Sequence, residues 1–404
     1  MAYLVLARKY RSTTFDEVVG QEAISQTLVA AIASGRIAHA YLFTGTRGVG
    51  KTTMARILAK ALNCMSAPGP TATPCGTCDA CQAIARGDDL DVIEIDGASN
   101  RGIDEIRELR ANANFRPARC RYKVYYIDEV HMLTMPAFNA LLKTLEEPPE
   151  HVKFIFSTTE AEKLPATILS RCQRYDFRNI PTPQIAAHLK ALCKAENVSA
   201  ADDALFRVAR AAEGSMRDGL SLLDQLLAAG GEISDESVIR LLGTPPEERM
   251  TTMADAIASG NAAVALGELN ALLESGISLS GAIGALGEFF RNLMLASACG
   301  AASDLIELPD TQRQTVATLA GRFSLPTLVH AVGLLQSLER NVRTSSLARA
   351  LAEAALVRLA AADKFIDPQS LIARLEAMGR SSPSAPPPRT ASPAEGEKKK
   401  PLTP

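Results

Sequence analysis

The chain has 404 residues, 47% hydrophobic and 22% charged, an ordinary globular composition that excludes a wholly disordered protein and, at roughly 150 residues per domain, suggests two to three domains. Lys plus Arg is 43 and Asp plus Glu is 45, a net charge of −2, so coating nucleic acid through bulk charge is excluded. With 5% aromatics and no Trp, a base-stacking surface is disfavoured as well.

In chain order, Met1–Tyr10 meets Arg8 and Lys9 almost at once, with no signal-peptide core or cleavage site. No uncharged apolar run approaches the ~20 residues of a membrane span, so a soluble, cytoplasmic chain without membrane contact is expected. Strand-like runs follow at Ala40–Thr44 (AYLFT), Asp91–Asp96 (DVIEID), Lys123–Asp128 (KVYYID) and Val152–Thr158 (VKFIFST). Helical patterns lie between them, such as Phe138, Leu141, Leu142 and Leu145, stopped by Pro148-Pro149. Strands alternating with helices predict a parallel sheet covered on both faces. After Pro181 the strand signal disappears. Thr182-Pro183 reads as an N-cap followed by Pro at the first helical position, and Ser215 with Asp218 as a capping-box-like pair after Glu213-Gly214. Residues beyond about 243 are helical and rich in Ala and Leu. From Gly379 on, the segment is Pro/Ser-rich and poor in apolar residues, the composition of a disordered tail.

Three clusters carry chemistry. Gly45-Thr46-Arg47-Gly48-Val49-Gly50-Lys51-Thr52 fits G-x-x-x-x-G-K-[ST] between a strand and a helical run that opens at Thr53. The glycines let backbone N–H groups wrap a β-phosphate, Lys51 reaches the β/γ-phosphates, and the Thr52 hydroxyl binds Mg²⁺. A chance Gly-rich turn of this form arises in roughly one in a hundred chains of this length. Second, the apolar run ending in Asp128-Glu129 has the Walker B arrangement: Asp128 to hold Mg²⁺ through water, Glu129 to polarise the attacking water. Alone it is equally a strand ending in a surface turn. Third, half of the eight cysteines are clustered as Cys64-x10-Cys75-x2-Cys78-x2-Cys81, among turn-forming Pro and Gly. Four thiolates suit a closed, structural Zn²⁺ site; a redox C-x-x-C would not call for two further cysteines, and an iron–sulfur site is a weaker rival. Thr158-Thr159 ends a strand beside the Walker B run, where a hydroxyl can orient water or simply suit a strand. Arg171, in Ser170-Arg171-Cys172, reads by itself as a salt-bridge residue.

Taken together, LARKYRSTTFDEVVGQ (Leu6–Gln21), GTRGVGKT, the four-cysteine insertion, IDEVHML, FNALLKTLEEPPEHVKFIF, LPATILSRC and AAEGSMRDGLSLLDQ resemble the gamma/tau subunits of the bacterial DNA polymerase III clamp loader, over residues 4–225. The resemblance implies an AAA+ ATPase of α/β class: a RecA-like ATPase domain at 1–180 with a zinc-binding insertion at 64–81, a helical lid at 181–242, an all-helical collar at 243–370 that builds the oligomer, and the tail at 371–404. It implies that Arg171 is the arginine finger for a neighbour's ATP, that Thr159 is sensor 1 with Thr158 as the alternative, and that Arg217 is sensor 2. Ala7, Tyr10, Arg11 and Val19 lie where the family cradles adenine and ribose. ATP, Mg²⁺ and Zn²⁺ are the implied cofactors. The implied partners are delta, delta prime and further gamma/tau copies, the beta sliding clamp and primer–template DNA, at replication forks in the nucleoid. Polymerase core would be a partner only of a longer form, since the extra domains of that form are absent here and the chain reads as a short form or a truncated piece. The stretch Ser99–Gly102, at an apparent helix start, reads equally as a DNA-phosphate contact or a capped exposed helix. No polymerase active site is visible, so a DNA-directed DNA polymerase (nucleotidyltransferase) label would belong to the assembly. Two rivals remain: a DExH-type helicase, suggested by Asp128-Glu129-Val130-His131 but lacking a second strand-rich half, and a non-catalytic AAA+ scaffold, against which the intact Lys51, Thr52, Asp128 and Glu129 speak.

Overall fold

A computed structural model describes residues 4–361 except 231, 304, 307 and 309. The expected tail at 371–404 and the last part of the expected collar lie outside the described residues. The chain divides into two compact units, the first ending at Thr244 and the second beginning at Pro245.

The first unit contains a parallel sheet of β1 (Ala40–Thr44), β2 (Val92–Asp96), β3 (Lys123–Asp128), β4 (Val152–Thr158) and β5 (Gln173–Asp176) in the order β2-β3-β4-β1-β5. Its helices are α1 (Leu6–Lys9), α2 (Glu22–Ala33), α3 (Lys51–Asn63), α4 (Asp79–Arg86), α5 (Ile103–Ala113), α6 (Met135–Glu146) and α7 (Ala166–Leu169), then α8 (Thr182–Ala195), α9 (Asp202–Ala211), α10 (Met216–Ala229) and α11 (Asp235–Leu242). Strand alternation divides the apolar side chains between two faces. Tyr41, Phe43, Val124, Tyr126 and Ile155 pack with Leu28 of α2 and Ile57 and Leu58 of α3. Leu42, Tyr125, Ile127, Phe154 and Phe156 pack with Ile106 of α5 and Leu141 of α6. β1 and β4 are buried along their whole length, as the middle of a doubly covered sheet requires.

This is an α/β fold with a RecA-like sheet of the AAA+ kind, followed by helices with a core of their own. Ile185 and Leu189 of α8, Leu205 and Val208 of α9 and Leu223 of α10 form that core, and Leu6 of α1 joins it from the N-terminus. Two local expectations are corrected. Helix α8 begins one residue early: Pro181 occupies the cap position, Thr182 is the first helical residue, and Pro183 sits where an N–H is not needed. The fifth strand, β5, was not expected; only Tyr175 of its QRYD sequence points inward.

The second unit is all-helical among the described residues: α12 (Glu247–Ala258), α13 (Ala262–Glu274), α14 (Leu279–Cys299), α15 (Asp310–Ala320), α16 (Leu325–Val342) and α17 (Ala348–Ala360). Asn261, Ser278 and Ser324 cap α13, α14 and α16 by accepting from Val264, Gly281 and Thr327 N–H groups. Phe290 of α14 meets Phe323 edge-on at 5.5 Å.

One buried amide in the first unit ties helix to sheet. Asn63, at the end of α3, donates to the Tyr122 carbonyl at 2.9 Å and accepts from the Tyr122 N–H at 3.0 Å, just before β3 begins. Asn63→Ala strands both backbone groups, so the urea transition of the first unit should lose about 2–4 kcal/mol. A change near zero would mean that water replaces the amide and that the tie is dispensable.

Candidate functional site

The loop Gly45–Gly50 leaves the C-terminal end of β1 and feeds α3, whose first residue is Lys51. Its backbone demands glycine. Gly48 has φ +79°, and a Cβ there would lie 1.9 Å from Ser215 Oγ; a Cβ on Gly45 would lie 2.5 Å from the Phe177 carbonyl oxygen. The loop is therefore pressed between the sheet's edge connection and the start of α10. Contact with α10 is direct, since the Arg217 N–H donates to the Gly48 carbonyl at 3.4 Å.

Lys51 is buried and donates to the Gly45 and Thr46 carbonyls, each at 2.7 Å. Burial lowers its ammonium pKa, while Glu129 and Asp128 push it back up. Thr52 Oγ1 donates to Asp128 Oδ2 at 3.2 Å, and the Glu129 N–H donates to Asp128 Oδ1 at 3.0 Å. Tyr126 Oη lies 3.1 Å from Thr52 Oγ1 and 2.9 Å from Ser157 Oγ, and Ser157 donates to Asp128 Oδ1. Burial, with Asp128 adding, holds the Tyr126 phenol well above its ordinary pKa, so it stays protonated.

Lys51, Thr52, Asp128 and Glu129 open onto one cavity of about 940 Å³. The residues Arg47 to Thr53 line it, as do Asp128, Glu129 and Arg217, together with Ala7, Tyr10, Arg11 and Val19. Gly45 and Thr46 do not line it. Their carbonyls hold Lys51, and Thr46 Oγ1 bonds Asn179 at 2.6 Å. Tyr10 reaches out of the cavity to Glu196 at 2.5 Å. Arg11 has its guanidinium pKa lowered by burial and by the neighbouring charges of Arg56 and Arg217. Cations that repel one another and two carboxylates, all lining one cavity, are the electrostatics of a site for a polyanion with a divalent cation. Sequence reasoning passed over Arg56, Lys60, Asp96 and His188, which also line the cavity. Asp96 was findable, because its run DVIEID ends in an acid as KVYYID does; the β2–β3 register then pairs it with Asp128.

The sensor alternatives separate. Thr159 donates to Glu129 Oε2 from its N–H at 3.1 Å and its hydroxyl at 3.0 Å. Thr158 is buried and its hydroxyl meets His131 Nδ1 at 2.9 Å. Glu129 has φ +46°, a left-handed conformation rare for a side chain of its size. Arg171 is not brought to this cavity. It donates to Glu146 Oε1 at 2.6 Å and to the Thr167 carbonyl at 2.7 Å. In the Ser99–Gly102 stretch, Arg101 bonds the Ala98 carbonyl at 2.9 Å, and Asp104 and Glu105 occupy the first turn of α5. That surplus of acid opposes an incoming phosphate.

The Sγ atoms of Cys64, Cys75, Cys78 and Cys81 all lie within 4.8 Å of one another. The Cys75 N–H points at Cys64 Sγ at 3.4 Å, and the Cys78 N–H at Cys75 Sγ at 3.2 Å. The Ser66 hydroxyl, then the Cys78 N–H and the Thr77 hydroxyl and N–H, pull the Cys75 thiol down to about 5. A closed set of four sulfurs with N–H donors aimed at them fits a tetrahedral thiophilic ion. A second group, Asp89, Asp91 and Cys120, is equally tight, but its oxygens are spent on protein donors: Asp91 accepts N–H groups from Ala118, Arg119 and Cys120, and Asp89 pairs with Arg119.

Three family models match successive stretches. One, described as the delta subunit of DNA polymerase III, covers residues 20–181; one, the ATPase lid domain of a DNA polymerase III clamp loader subunit, covers 184–232; one, domain III of DNA polymerase III subunits gamma and tau, covers 233–375. DNA polymerase III subunit tau of Escherichia coli K12 is 49% identical over 278 residues, 69% of this chain and 43% of the relative. Subunit tau of Bacillus subtilis 168 is 40% identical over 360 residues, 89% and 63% of the two chains. Subunit gamma of Buchnera aphidicola is 45% identical over 258 residues, 64% and 71%. The chain thus spans less than half of the Escherichia coli relative.

The pinch between Gly48 and Ser215 is testable. Gly48→Ala should lower the melting temperature of the first unit by more than Gly35→Ala does. Gly35 has φ +69° with nothing within 4 Å of an added Cβ, so its variant meets only the backbone penalty, about 1–2 kcal/mol, whereas Gly48→Ala must also displace α10. Equal losses would mean that α10 does not rest on the loop.

Proposed function

This chain belongs to the gamma/tau subunit family of DNA polymerase III, and from that premise we propose that it is an ATP-hydrolysing AAA+ subunit of the replicative clamp loader. The observation that carries this reading is the convergence of Lys51, Thr52, Asp128 and Glu129 on one cavity also lined by Arg11 and Arg217. Lys51 and Arg217 bind the terminal phosphates. Glu129, oriented by Thr159, takes the proton of the attacking water. Thr52 and Asp128 hold Mg²⁺, which neutralises phosphate charge. Ala7, Tyr10, Arg11 and Val19 take the adenosine end. Arg171, which stands outside the cavity of its own chain, serves a neighbouring subunit's nucleotide.

Loss of the γ-phosphate removes the charge-assisted contacts that hold neighbouring subunits in register. The ATP state holds the sliding clamp open on primer–template DNA, and hydrolysis releases both. Delta, delta prime and further gamma/tau copies complete the assembly, through a collar formed by residues 243–370; polymerase core joins only in a longer form. The location is cytoplasmic, at replication forks. No described helix is long and apolar enough to cross a membrane. The helicase alternative is disfavoured: the second unit carries no sheet among its described residues to form a second RecA-like half.

ATP turnover should rise when clamp and primed DNA are added together, and Glu129→Gln should still bind ATP while turning over about 10²- to 10⁴-fold more slowly. Turnover indifferent to clamp and DNA would sink the clamp-loader reading; a fully active variant would remove Glu129 from the chemistry.

The four cysteines take one structural Zn²⁺ per chain. Metal analysis should find one zinc in the native chain and much less in Cys78→Ser, with a lower melting temperature. A chain purified gently yet free of zinc would refute the assignment.

A further inference from the structure

Thr52 and Asp128 belong to a closed ring of hydrogen-bonding groups whose other two members are Tyr126, within the apolar run that ends at Asp128, and Ser157, outside both nucleotide motifs. Tyr126 stands two residues before Asp128 on β3, so both face the side of the sheet that carries α3. Ser157 follows Phe156, the register partner of Ile127, and so stands beside Asp128. The ring runs Thr52 Oγ1–Asp128 Oδ2 (3.2 Å), Asp128 Oδ1–Ser157 Oγ, Ser157 Oγ–Tyr126 Oη (2.9 Å) and Tyr126 Oη–Thr52 Oγ1 (3.1 Å). Ser157 is fully buried and Tyr126 is 2% exposed.

We propose that Tyr126 and Ser157 are positioning residues that pre-orient Thr52 and Asp128 toward a divalent cation. The proposal rests on the reading of this cavity as a magnesium–nucleotide site.

Proton counting gives the reason. The ring has four contacts and three hydroxyl protons, and an ionised carboxylate only accepts. Asp128 therefore takes the protons of Thr52 and Ser157. The phenol proton is left for Thr52 Oγ1 or Ser157 Oγ. When it serves Thr52, that oxygen holds Cβ, gives its proton to Asp128, and accepts from Tyr126. Of its four tetrahedral directions, one lone pair remains for a cation. Ser157 in the same way fixes Asp128 Oδ1, which the Glu129 N–H also binds at 3.0 Å. Without the two extra hydroxyls, Thr52 can rotate about χ1 and Asp128 keeps one partner fewer. Each loss makes the cation pay the ordering entropy itself.

The experiment uses the full chain, the Tyr126→Phe variant, and a fluorescent ADP as probe. Nucleotide affinity is measured in EDTA and across a magnesium titration. The variant should need roughly three- to tenfold more magnesium for half-saturation, the worth of one hydrogen bond, while its affinity in EDTA stays at the wild-type value. An unchanged magnesium midpoint overturns the proposal. So does an affinity that falls equally with and without magnesium, which would assign the tyrosine to packing. Should Tyr126→Phe not fold, Ser157→Ala decides by the same two readings. Wild-type chain that shows no magnesium-dependent binding sinks the nucleotide-site reading instead, so the two failures are distinguishable.

Discussion

The molecule's chemistry depends on the parallel pairing of β1 with β4 and of β4 with β3. Thr44 stands beside Thr158, and Ile127 beside Phe156. Three connections therefore leave the sheet at the same level: the glycine loop, the acidic pair and the threonine pair. Ligands in open α/β sheets gather at the carboxyl ends of strands, and here that edge is held by strands with no exposed face. β1 and β4 are buried throughout, so a shift in register would turn aromatic side chains of one face toward the helices of the other. The precision of the site is thus supplied by the core, with Phe154 and Phe156 stacked at 5.7 Å and Tyr125 at 5.6 Å from Phe154.

The helices after the sheet contribute to that edge from the other side. Ser215 caps α10 by accepting from the Asp218 N–H at 3.2 Å, and its hydroxyl occupies the space that a side chain on Gly48 would need. Arg217, two residues into the helix, lines the cavity. The positive end of the helix and a guanidinium therefore face the same place. Leu6 packs in the core formed by α8, α9 and α10, while Ala7, Tyr10 and Arg11 line the cavity. Any movement of those helices carries both an arginine and the far wall of the cavity with it.

Much of this was legible in the sequence because the physics is local. A glycine loop between an apolar strand and a helix, and an apolar strand ending in two acids, each encode their own geometry. β5 was not legible. As an edge strand with a single inward residue, Tyr175, its QRYD sequence carries neither alternation nor an apolar run. Thr158 and Thr159 could not be told apart by type. One is buried against His131 and the other turns out to Glu129, a difference set by where β4 ends. Tyr126 and Ser157 read as ordinary strand residues, since a hydroxyl inside an apolar run has meaning only once β3 and β4 are known to be neighbours. The helix start at Thr182 was misplaced by one residue because Pro181 and Pro183 both satisfy a helical first turn.

Arg171 shows how little the resting contacts of a residue decide. It is paired with Glu146, the bland arrangement that its sequence context suggests. The two side chains are 32% and 50% exposed, and a solvent-exposed ion pair contributes about 0–1 kcal/mol. In the proposed role at a neighbour's nucleotide, a phosphate group would offer the same guanidinium more charge and a bidentate match, and exclusion of water would strengthen that contact. The pair with Glu146 therefore holds the side chain in a defined place without competing seriously for it. The role proposed for Arg171 requires that combination: a guanidinium held away from the cavity of its own chain, by a contact weak enough to give up.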